Sequence, residues 1–142
     1  MNVSVQVRQE APTLTIKKGC DSTVADRVKV FGSASRTTSS FSNDITNNYG
    51  DSLVAILNVT AFSSTPSVVF TIQGKDEGSG EYYDILTSAA VVTSGTTVFR
   101  VFPGAVPATN LTVNDLLPGV WRVRAIHGDA DPITYSMTGV MV

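Results

Sequence analysis

His127 is the only histidine of this 142-residue chain, and with Asp129 two positions later it supplies two of the three side chains of a Ser-His-Asp hydrolase. No GxSxG turn delivers the third, so the serine would have to come from a loop with no signature. The surrounding residues, HGDADP, are those of a tight turn, and the turn is the preferred reading. The chain is therefore not expected to be an enzyme. Asp129 and Asp131 form a D-x-D pair, and Asp76, Glu77 and Asp115 fall in other polar stretches. Calcium takes roughly six to eight oxygens, and no twelve-residue ligand loop gathers them here. These acids read as turn residues, and no metal or other cofactor is expected. The single Cys20 has no second thiol for a disulfide or a zinc site.

Tyr82, Tyr83, Trp121 and Tyr135 have the ring faces that stack on sugars, but aromatics in strands more often fill cores or pair across strands. A glycan platform is therefore the lesser reading of the four. The sequons at Asn58 and Asn110 carry little meaning in so Thr-rich a chain, and Gly74, Gly78, Gly80 and Gly95 lack phosphate-loop spacing.

The elements that would position these groups read as strands. In residues 119–142, Trp121, Val123 and Ala125 alternate with Arg122 and Arg124, then Ile133, Tyr135 and Met137 alternate with Thr134, Ser136 and Thr138. The expectation is a hairpin with His127 at its tip. Residues 53–62, LVAILNVTAF, form the most apolar run of the first half and read as a central strand covered on both faces. Residues 68–73 follow across a Ser-Thr-Pro turn as an expected antiparallel partner. Val28, Val30 and Phe31 suggest a further strand, and residues 33–48 a polar loop or solvated strand. Residues 82–87 alternate poorly, which leaves their register open. In residues 98–102, Phe99 and Val101 oppose Val98, Arg100 and Phe102. Residues 102–119 carry three prolines and read as a crossing loop with one helical turn near 113–117.

Seven to nine such strands, spaced about 8 to 12 residues apart with no long helical pattern, predict an all-β antiparallel β-sandwich, jelly-roll or Greek-key-like. Its inward set would include Ile56, Phe70, Ile72, Trp121 and Val123. Residues 27–142 are assigned to the sandwich and residues 1–26 to an N-terminal strand or arm. In that arm Val3, Val5 and Val7 alternate with polar residues, and Leu14 and Ile16 repeat the pattern after Pro12. These five are the candidate contacts with a neighbouring subunit or another protein, unless the segment serves as an edge strand of its own domain.

The charge sum is −2, with no basic block, so nucleic acid and membrane surfaces are not expected partners. Arg8 and Glu10 interrupt the N-terminal valines, so no secretory leader is read there, and synthesis in the cytoplasm is expected. Ser and Thr outnumber all charged residues, a balance that suits a β protein working outside a cell.

The runs GKDEGSG (residues 74–80), VFPG (101–104) and LPGVWRVRAIHGDADPITY (117–135) resemble a group of small virion structural proteins of tailed bacteriophages. The resemblance spans roughly the last ninety residues, and the first fifty add nothing to it. It implies a β-sandwich that decorates the capsid exterior, binds the major capsid protein lattice and self-associates, most simply as a homotrimer. Tail or head-tail connector structure and a glycan-binding module are the alternatives.

Overall fold

The computed structural model describes residues 25–48 and 50–142, and among these it contains strands and no helix. Two mostly antiparallel sheets pack face to face as a β-sandwich, as the period-two patterning predicts. The first sheet runs β1 (Asp26–Arg36), β10 (Ile133–Met141), β4 (Leu53–Phe62), β7 (Gly95–Val101) and β8 (Thr112–Val113). The second runs β2 (Ser40–Phe41), β9 (Val120–His127), β5 (Val68–Lys75) and β6 (Tyr82–Thr87), with β3 (Ile45–Thr46) also on β9. All pairs are antiparallel except β7 with β8.

Two expected pairings are corrected. β4 does not pair with β5, nor β9 with β10; in each case the turn carries the chain from one sheet to the other. Strand periodicity locates an element but does not say which neighbour it joins, and a short polar turn serves a corner as well as a hairpin. β4 is central, between β10 and β7, but covered on one face only. Its outward Ile56 keeps 36% of its surface exposed and so leaves the expected core. Phe70, Ile72, Trp121 and Val123 are buried as expected. The expected helical turn at 113–117 is absent, with β8 and an extended connection in its place. Residues 82–87 alternate poorly because the β5–β6 ladder shifts register between Ile72 and Gln73, a bulge that leaves Ile85 unopposed.

Trp121 is fully buried and donates its indole N–H to the Met141 sulfur at 3.3 Å, joining the two sheets. Gly139 on β10 lets this happen, since a Cβ there would stand 3.1 Å from Trp121 Cη2 and 3.3 Å from both Leu53 Cδ1 and Val28 Cγ1. At the other end Phe31, Phe70 and Tyr135 meet edge to face, with centroids 5.0 to 6.5 Å apart. Arg36 closes this end. Its guanidinium lies 4.5 Å from the Tyr135 ring centre and donates to the carbonyls of Tyr135 (2.8 Å), Gly32 (2.6 Å) and Ala34 (3.2 Å). The last two lie beside the irregularity between Phe31 and Ala34, so one side chain braces the bulged part of β1.

Candidate interaction surface

β9 places Arg122 and Arg124 on the outer side of the second sheet because Trp121, Val123 and Ala125 take the inner one. β5 sets Gln73 directly beside Arg122, and β6 sets Asp84 beside Gln73. The Gln73 side chain, only 5% exposed, accepts from Arg122 Nε and donates to Asp84 Oδ1, both at 2.9 Å. Arg124 approaches the other Asp84 oxygen at 3.8 Å. The Arg122 guanidinium lies 3.4 Å from the Tyr82 ring centre and 4.2 Å from that of Phe41 on β2, held between two aromatic faces. Asp44 completes the group by accepting from the Tyr82 hydroxyl at 2.7 Å and from Lys75 Nζ at 3.1 Å. The Tyr82 hydrogen bond, more than any other influence, holds the Asp44 carboxyl below its ordinary pKa, and Asp44 in turn raises that of Lys75. The charges on this surface are thus paired within the chain, although Arg124 Nε is buried without a hydrogen-bond partner among the described residues.

The four aromatics proposed as a sugar platform do not share a surface. Trp121 and Tyr135 are fully buried, and Tyr82 turns a face to Arg122. Tyr83 packs over Gly74, where a Cβ would come within 2.6 Å of its hydroxyl and 2.8 Å of Pro118 Cγ.

His127 ends β9 at the corner between the sheets, where its Nε2 lies 3.2 Å from the Tyr135 hydroxyl. Nδ1 is buried without a hydrogen-bond partner among the described residues. Burial is the main reason its pKa falls below 6.5; Asp129 pulls it up and Arg36 pushes it down. The nearest serine contact is to the backbone, with His127 N–H donating to Ser39 Oγ at 2.9 Å. Asp129 accepts from the N–H of Asp131 at 3.1 Å, and Asp131 accepts from the Thr65 N–H at 3.1 Å. Each carboxylate therefore fastens a turn, as their positions suggest. Asp76 does likewise in the β5–β6 turn, accepting from Ser79 Oγ at 2.8 Å and Gly78 N–H at 3.0 Å, with Gly80 at φ +81°. Those two bonds, Ser79 first, lower its pKa. No group of three or more His, Cys, Asp or Glu side chains suited to a metal ion occurs among the described residues.

Val3, Val5, Val7, Leu14 and Ile16, with Cys20, lie outside the described residues. Sequence reasoning missed the Gln73–Arg122–Asp84 group. The alternation of β9 places both arginines on one face, but the long-range pairing of β5 with β9 and β6 is needed to bring Gln73 and Asp84 to them.

No protein-family model matches the chain, and no curated protein matches it. Among solved structures, it is similar to the crystal structure of YomS, a protein derived from the SPBc2 prophage. The identity is 12% and the TM-score 0.47, over 83% of this chain and 96% of that one.

Proposed function

We propose that this protein is a structural component of a tailed-phage virion, a capsid decoration protein that binds the major capsid protein lattice from outside and reinforces it. The observation that carries the reading is the position of β1. It forms one border of the first sheet, paired with β10 on one side only among the described residues, and residues 1–24 join it directly. An eleven-residue border strand offers a row of backbone donors and acceptors, and the chain that precedes it in sequence has Val3, Val5, Val7, Leu14 and Ile16 alternating with polar residues. Such a chain attaches through backbone pairing and modest apolar area, and self-association as a trimer multiplies each contact through effective concentration. The sequence resemblance to small virion proteins points the same way. The reading assigns no reaction and no cofactor.

Co-sedimentation with empty capsids assembled from a tailed-phage major capsid protein of the same virion tests this reading. Full-length protein is expected to pellet with the particles in a saturable way. A form lacking residues 1–18 is expected to stay in the supernatant with an unchanged circular-dichroism spectrum. Failure of the full-length protein to pellet overturns the capsid reading, and full coating by the shortened form overturns the role of the arm.

A further inference from the structure

The two outer faces of the sandwich differ in one respect that bears on attachment. On the second sheet, Arg122, Arg124 and Lys75 are each matched by a group of the same chain. The outer face of the first sheet has no such matching. There the register lines up Arg27, Val140, Val54 and Arg100 in one row across four strands, and Lys29, Thr138, Ile56 and Val98 in the next. Ser136, Asn58 and Thr96 form a third. The centre thus gathers Val54, Val140, Ile56 and Val98 around Thr138, with Arg27 and Lys29 on the border strand β1 and Arg100 on β7, next to Thr112 of β8. At about 4.8 Å per strand the two arginines stand roughly 14 Å apart, with Lys29 about 7 Å along β1.

No ion pair is made by these three cations among the described residues. The only carboxylate on β1, β4, β7 or β10 is Asp26, which pairs with inward Met141 and so does not share their face. The chain as a whole carries −2, so a face of one positive sign is a local exception.

We infer that this outer face of the first sheet is the surface that seats on the partner, and that the partner is a protein surface with carboxylates around an apolar centre. Charge complementarity supplies the argument, and the course of the chain supports it: residues 1–24 arrive at β1, the strand that carries Arg27 and Lys29. Arm and face would then engage one partner from the same border. A nucleic acid fits less well, since three separated cations neutralise few phosphates. The inference rests on the capsid reading above and deepens it by assigning which face meets the lattice.

The experiment compares three full-length proteins in the capsid co-sedimentation assay: wild type, the triple variant Arg27→Glu/Lys29→Glu/Arg100→Glu, and the control Ile126→Glu at an exposed position on the outer side of the second sheet. Circular dichroism confirms that each is folded, as expected for exposed positions. The triple variant is expected to bind at least about tenfold more weakly, with the wild type losing affinity as salt rises and the variant responding less. The control is expected to bind as wild type. Wild-type binding by the triple variant overturns the inference while leaving the capsid reading intact. Failure of the wild type itself overturns both. Stronger retention of the wild type by duplex DNA than by capsids overturns the choice of a protein partner.

Discussion

Replacing Gly139 with alanine tests the packing between the sheets at its tightest point. The added methyl would stand 3.1 Å from Trp121 Cη2 and 3.3 Å from Leu53 Cδ1 and Val28 Cγ1, closer than a carbon normally settles. Trp121 and Leu53 are buried and have no room to retreat, so β10 or the indole must shift. Such overpacking costs about 1 to 3 kcal/mol, offset by the ~0.5–1 kcal/mol that alanine gains over glycine within a strand. The net loss is about 0 to 2.5 kcal/mol, centred on about 1 kcal/mol, or up to roughly 9 °C in Tm for a domain of this size. Gly32→Ala is the matched control, because its nearest neighbour is Lys29 Cδ at an ordinary 3.7 Å and its φ is not positive. That change is expected to leave Tm unaltered or raise it by roughly 1 to 4 °C. Calorimetry on both variants gives the answer, and Val28→Ala in the Gly139→Ala background should recover part of the loss by vacating one contact. A Gly139→Ala protein clearly more stable than wild type, as expected for an unobstructed glycine, would refute the placement of β10 beneath Trp121.

Gln73→Leu strips Arg122 Nε and Asp84 Oδ1 of their shared partner and should cost about 1 to 2 kcal/mol, read as a lower urea midpoint with an unchanged slope. Arg36→Lys keeps the charge but loses the planar fork across the β1 irregularity, so about 1 to 2 kcal/mol of destabilisation is expected, close to that of Arg36→Ala. Equal stability of Arg36→Lys and wild type would contradict the bracing role. Because burial lowers the folded-state pKa of His127 below 6.5, the unfolded chain binds the extra proton first. The stability contributed by neutral His127 is full above pH 6.5 and lost as pH falls toward the folded value. The Tm difference between wild type and His127→Gln should therefore shrink on acidification through this window, and a difference that grows would reverse the sign of the argument.

The sandwich was legible because period-two alternation reports which face of a strand is covered: Trp121, Val123, Tyr135 and Met137 all lie in the core where the pattern puts them. Partner choice was not legible. β10 sits between β1 and β4, and its neighbours begin about a hundred and about eighty residues before it, distances over which local sequence carries no record of pairing. Ile56 shows the related limit, since a continuous apolar run looks the same in a doubly covered strand and in one whose outer face joins an exposed apolar row. Asp129 was legible as a turn residue because its hydrogen bond with the Asp131 N–H is local, whereas the bond of Asp131 to the distant Thr65 was not. The Tyr82–Arg122–Phe41 stack was not, because three separate strands contribute to it. The absence of acids from the strand positions facing outward in the first sheet could have been noticed in the sequence only after the register assigned each residue its face.

An electron-microscopy map of the intact virion tests the central claim most directly. The account predicts sandwich density on the capsid exterior, in symmetric clusters of copies, with Arg27 and Arg100 directed toward the lattice. Density confined to the tail or the connector, or capsids bare of this chain, would contradict it.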